Sequence, residues 1–212
     1  MSWWKRALII VCAILLVLTL SLSGISFAAS RLTDEPTLRS FVRDVTVTQG
    51  KSAEDADKKF DDLYFRDLSC SGVLGCISHP PKEGAAVVLT SKRGHDFFTQ
   101  NNTLLIIFSL LFIVIILLIA ESAGQRLKGI GIPFAIAGLN VLLKPLLQGF
   151  LVRAAPSDTS SYVKVLIDNI FTISTLYYAC MLILGITLSI IGLVVTRREK
   201  NNQHIKQEVY PE

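Results

Sequence analysis

Residues 103–120 read TLLIIFSLLFIVIILLIA, 18 residues without a charge. As a helix this run covers about 27 Å, close to the ~30 Å hydrocarbon core of a bilayer. The rest of the chain is read outward from it. Three further apolar blocks flank it, at Ala7–Ala29, Ile130–Val152 and Val165–Val195. The whole chain has 212 residues, 51% of them hydrophobic and only 18% charged, with a mean hydropathy of +0.51. Soluble domains carry about 25% charged residues. The composition excludes an ordinary soluble enzyme, a disordered chain and a free nucleic-acid-binding domain.

The expected fold class is therefore a mainly α membrane protein, a four-span helical bundle with a small α+β extracytosolic lobe. Residues 1–29 form the first span or a cleaved signal peptide. Lys5 and Arg6 precede the apolar run, and Ser26-Phe27-Ala28 offers small residues for cleavage after Ala28. The bundle has three spans if that cleavage occurs. Residues 103–120 are span two, 121–129 a cytoplasmic turn and 130–152 span three. Residues 153–170 are an outer turn and helix extension carrying Asp168 and Asn169, 171–195 are span four, and 196–212 are a polar, frayed cytoplasmic tail.

The basic residues set the direction. Lys5, Arg6, Arg126, Lys128, Arg197, Arg198, Lys200 and Lys206 all fall on one side if the chain crosses at every block. That side is expected to be cytoplasmic, which leaves residues 30–102 outside, in an integral cell membrane. The short inner turn predicts that spans two and three are antiparallel neighbours.

The outer segment mixes charges evenly, with 11 Asp and Glu against 10 Lys and Arg over residues 31–100. Pro36 fits a helix start, and Leu38, Phe41, Val42 and Val45 follow at helical spacing. Val45–Thr48 alternates as a strand would, and Ala85–Thr90 reads as a second strand. Ser52 with Asp55 is a capping-box variant. Behind it Ala56, Phe60, Leu63, Tyr64 and Leu68 form one apolar stripe. Glu54, Asp55, Asp57, Asp61 and Asp62 lack the glycine and spacing of a calcium loop and read as the wet face. Cys70 and Cys76 enclose a loop with two glycines in an oxidising compartment, so a disulfide between them is expected. The alternative is a metal site with His79, but no fourth ligand is evident.

No Gly-rich phosphate loop, HExxH or GxSxG occurs. Adjacent His95 and Asp96 would not orient each other as a triad does. No catalytic residue, metal or cofactor is expected, and no enzymatic activity. The residue that stands out is Lys144, inside span three, since an ionisable group in a span is a functional-site hypothesis. On a continuous α-helix, Asn140, Lys144 and Gln148 stack on one face. Counting from the inner ends brings the depth of Lys144 near Ser21 on the first span, with Thr19, Ser23 and Ser26 close by, and near Met181 on the fourth, with Tyr177, Tyr178 and Ser174 just above. On span two it falls near Ile106, with no polar partner. The resulting hypothesis is a polar intramembrane cluster of Asn140, Lys144, Gln148, Tyr177 and Tyr178. The plainer reading is that Lys144 snorkels to the outer interface. Gly185, Ser189 and Gly192 form a small-residue face for helix packing, and Ala135 and Gly138 do likewise on span three.

Four spans, a large first outer loop with a close cysteine pair and a short second outer loop resemble the general plan of claudin-type proteins. The tryptophan signature of their first loop has no counterpart, since Trp3 and Trp4 stand at the cytoplasmic start. The Cys-Cys-Gly of tetraspanins is also missing. The layout implies no function by itself. Three readings remain. The first is an accessory subunit that binds a partner through its outer lobe. The second is a homo-oligomeric channel or transporter subunit with the span-three stripe on a pore. The third is a sensor with a ligand-binding lobe. The expected partners are the lipid bilayer and other membrane subunits or further copies of the chain, and no nucleic acid.

Overall fold

The structure, a computed structural model, describes residues 2–48, 50, 52–66, 75, 88, 90–143 and 160–209. The longer elements among them are helical: α1 Trp3–Leu32, α2 Glu35–Thr48, α3 Ala53–Tyr64, α4 Lys92–Ile119, α5 Ala123–Gly138 and α6 Ser160–Val209, with a 3-10 segment Leu139–Leu143 after α5. Three helices are long and apolar enough to cross a membrane: α1, α4 and the Thr172–Asn201 part of α6. Leu118, Leu176 and Ile183 stand out from them with at least two thirds of their surface exposed. In water such faces would aggregate, whereas in lipid they face their own kind.

The fourth expected span is not shown. The third apolar block starts its helix at Ala123, earlier than Ile130, and α5 has 16 residues, about 24 Å. It then tightens into the 3-10 segment, where the Leu139 N–H is shared among the carbonyls of Ala135, Ile136 and Ala137. Pro133 lies within α5 without ending it, and residues 144–152 of this block lie outside the described residues.

The described residues contain no strand, so an α+β lobe is not supported. Val45–Thr48 continues α2. A growing helix adds one hydrogen bond per residue, whereas a strand there would need a partner for its N–H and C=O groups. Of Ala85–Thr90 only Val88 and Thr90 are described, and both are helical. What stands outside the bundle is a helical hairpin. Ser52 caps α3 by accepting from the Asp55 N–H at 3.1 Å, as its spacing predicts. Leu38, Phe60 and Tyr64 are buried between α2 and α3, with Phe41 and Val42 against them. Arg39 lies over the Phe60 ring, 4.7 Å from its centroid, and pairs with Asp61 at 2.8 Å and Glu35 at 3.4 Å. Burial, with Glu35, Asp34 and Asp96 nearby, pushes the Tyr64 hydroxyl above its usual pKa.

In the bundle α1 is central. Its Cys12, Leu16 and Leu20 are buried with Ile116 of α4 and Ala137 of α5, and Met181 of α6 packs against them. Spans two and three, expected to be neighbours, touch where Gly129 meets Ile116, but their main packing lies elsewhere. α4 packs chiefly on α1, and α5 packs chiefly on α6. The glycines of α5 decide this. A Cβ at Gly131 would meet the Ser189 backbone at 2.7 Å, and one at Gly138 would meet Leu182 at 2.5 Å. Farther down, a Cβ at Gly124 would lie 2.9 Å from the Thr196 nitrogen. As one residue number rises the other falls in step, which is the register of two antiparallel helices with touching backbones.

Helix α6 runs unbroken for 50 residues, about 75 Å and more than twice the bilayer core. The tail expected to fray is helical through Val209. It contains Arg, Glu, Lys and Gln, which favour helix, and no Gly or Pro before Pro211.

Candidate functional site

The apolar run of α1 is interrupted by Thr19, Ser23 and Ser26 on one face and by Ser21 on the opposite one. Each is met by a polar side chain from another part of the chain. From α4, Ser109 donates to the Thr19 hydroxyl at 2.9 Å, and Asn101 donates its amide N–H to Ser26 at 3.1 Å. Ser23 donates to the Asn102 side-chain oxygen at 2.9 Å. From the 3-10 segment, Asn140 donates to the Ser21 hydroxyl at 2.8 Å. From α6, the Tyr178 hydroxyl donates to the Ser21 carbonyl at 2.5 Å, and the Tyr177 hydroxyl reaches Ser23 at 3.4 Å. The two tyrosine rings meet edge to face with centroids 5.5 Å apart, and Phe27 stacks on Tyr177 at 6.0 Å.

The local sequence explains how these groups converge. The 3-10 segment turns Asn140 toward α1 just after Ala137 and Gly138, which are small and buried. Tyr178 reaches the α1 backbone because Gly24 offers no side chain against its ring. The donors and acceptors are neutral hydroxyls, amides and carbonyls. In a bilayer an unpaired polar group costs several kcal/mol (about the loss of a hydrogen bond to water), so pairing across helices fixes which helix lies beside which.

Of the polar cluster expected from sequence, Asn140, Tyr177 and Tyr178 are described, and all three touch the Ser21–Ser23 stretch of α1. Lys144 and Gln148 lie outside the described residues. Asn140 itself sits in the 3-10 segment. Cys70, Cys76 and His79 also lie outside the described residues. Two polar side chains near Ile106 of span two pair with α1. Asn102 and Ser109 flank Ile106 by about one turn each way and both bond to α1. A serine inside an otherwise apolar run, and two asparagines at its mouth, were the signal for them.

Gly185, Ser189 and Gly192 face α5 within the same chain. A Cβ at Gly185 would meet the backbone of Ala135, and one at Gly192 would lie 3.0 Å from Leu127 and Lys128 atoms. The Ser189 hydroxyl is buried there and has no hydrogen-bond partner among the described residues.

His95 is tied into one rim of the bundle. Its Nδ1 lies 3.1 Å from the Ser30 carbonyl and 3.3 Å from the Thr33 hydroxyl, joining the start of α4 to the end of α1. At the opposite rim Lys5 pairs with Glu121 at 2.8 Å. That hydrogen bond holds the Glu121 carboxyl below its usual pKa.

No known protein family, curated protein or solved structure matches the chain.

Proposed function

We propose that the chain is a non-enzymatic structural or accessory subunit of a membrane assembly, and that the α2–α3 hairpin is its partner-binding part. The observation that supports this reading is where the intramembrane polar side chains point. A homo-oligomeric channel needs polar groups facing a shared pore. Here Thr19, Ser21, Ser23 and Ser26 of α1 bond to Ser109, Asn140, Tyr177, Asn102 and Asn101 of the same chain. Such a cluster holds a scaffold together. In this reading α1 is a retained span, because its side chains form the centre of the bundle. The rim with Lys5, Arg126 and Lys128 is cytoplasmic by the distribution of basic residues, and the hairpin lies outside.

The hairpin has its own small core and an acidic outer face. Arg39 engages Glu35, Asp57 and Asp61, Glu54 pairs with Lys58 at 3.2 Å, and Asp62 is exposed beyond these pairs. The variant Asp62→Lys tests the surface. Its expected effect is loss of partner proteins from the solubilised particle at unchanged melting temperature. Recovery of the same partners at the same yield would contradict the assignment of this face.

A further inference from the structure

Between α1 and α5 runs an open groove of about 520 Å³, within the range of small-molecule sites. One stripe of each helix lines it, from Arg6 to Val17 on α1 and from Gln125 to Ile136 on α5. Both helices start at the same rim, so the groove has a direction. Arg6, Gln125 and Lys128 lie at one end, and the remaining length is alkyl surface such as Ile14, Val17, Ile132 and Ile136. The whole groove is about 17 Å long at 1.5 Å per residue, and its alkyl part about 12 Å, against the ~30 Å hydrocarbon core.

The charges at this rim are not equivalent. Lys5 is neutralised by Glu121, and Arg126 donates its Nε–H to the Ala120 carbonyl at 3.1 Å. Arg6 and Lys128 have no ion pair among the described residues. They are the two groove residues that carry charge, and both are cationic. A cationic head joined to an apolar trough, opening sideways into lipid, is complementary to an amphiphile with an anionic head and an alkyl tail.

We infer that this groove is a binding site for an anionic phospholipid, with the headgroup phosphate between Arg6 and Lys128 and one acyl chain along α1 and α5. Basic pockets between helices at the cytoplasmic rim suit anionic headgroups. The alkyl walls give the acyl chain of a lipid something to contact that a free phosphate lacks. The inference requires that the chain lie in a membrane, but does not depend on the accessory-subunit reading.

The test uses the full chain, delipidated in mild detergent and titrated by native mass spectrometry with phosphatidylglycerol or phosphatidylcholine of identical acyl chains. The expected result is one saturable phosphatidylglycerol adduct, with phosphatidylcholine binding only weakly and without saturation. Arg6→Gln/Lys128→Gln should weaken that adduct about 30-fold, from about 1 kcal/mol per basic residue, without lowering the melting temperature measured before lipid is added. Ala13→Trp, which fills the trough and leaves both cations, should also abolish it. Equal binding of the two lipids, or unchanged binding by the double glutamine variant, would overturn the proposal. Full competition by glycerol phosphate would also overturn it, because the site would then recognise the anion without the chain.

Discussion

The ring of Tyr178 occupies the space where Gly24 would carry a side chain. A Cβ built on Gly24 would lie 2.6 Å from the ring, and the Tyr178 hydroxyl donates to the Ser21 carbonyl three residues earlier at 2.5 Å. The ring is thus held at both its face and its tip. It cannot move away without giving up a hydrogen bond inside the membrane. Gly24→Ala should cost about 1–3 kcal/mol, the range for overpacking a close contact. Tyr178→Phe should cost about 0.6–2 kcal/mol, as interhelical hydrogen bonds do in membranes. Because the two act on one contact, the double variant should cost less than the sum. Denaturant titration in detergent measures all three. Strict additivity would show that the two residues are not coupled.

The α5–α6 seam makes a second expectation. The atoms that would meet a side chain on Gly131 or Gly138 include backbone of α6, which cannot swing aside. Gly131→Leu should destabilise by more than about 3 kcal/mol, beyond ordinary overpacking because it separates two helices. Leu118→Ala, on the outward face, should stay within about 0.5 kcal/mol of wild type. Ser189→Ala points the other way. It removes a buried hydroxyl that has no partner among the described residues, and should leave stability unchanged or raise it by up to about 1–3 kcal/mol. A loss of more than 1 kcal/mol, on the order of one hydrogen bond, would mean that the hydroxyl is paired.

Retention of the first helix is open to a direct check. Leu16, Leu20, Ser23, Gly24 and Ser26 are buried among α4, α5 and α6. Intact mass of the protein isolated from its own membrane should include residues 1–28. A chain expressed from Ala29 should fail to yield a monodisperse, cooperatively melting particle. A mature mass that begins at Ala29 would contradict the central place of α1.

The rim pair gives a pH dependence. The Lys5 ammonium holds the Glu121 carboxyl below its usual value of 4.5, so the folded state keeps the proton off more readily than the unfolded chain. The contribution is therefore present above about pH 4.5, the unfolded value, and is lost as pH falls through the lower folded value. Melting temperatures of wild type and Glu121→Gln should differ at neutral pH and converge at acid pH. High salt should shrink the neutral difference, because both partners are exposed to solvent. A gap that widens toward acid pH would reverse the sign and remove the pair from the account.

Much of this fold was legible because lipid exposure needs only length and lack of charge. The 103–120 run and the first and last apolar blocks announced themselves that way. The hairpin helices were partly legible from Ser52, Asp55 and the Phe60–Tyr64 stripe. Val45–Thr48 misled because alternation is short-range, and nothing local reveals that a helix already running at Arg43 has no reason to stop. In the third block Gly138 was legible as a packing residue, whereas Gly124 and Gly131 gain their meaning only once α6 lies against them. At constant helical rise Ser21 is expected level with Lys144 and Met181, and it bonds to Asn140 and Tyr178, about one turn away on each. Asn102 and Ser109 stand about one turn to either side of Ile106 and reach α1 from there.

The central claim is that the chain works as one subunit among unlike partners. Native mass spectrometry of the protein released gently from its own membrane tests it most directly. The account predicts a particle with one or a few copies of this chain together with other proteins, which dissociate when the α2–α3 face is altered. A particle whose mass is a whole multiple of this chain and nothing else would contradict it.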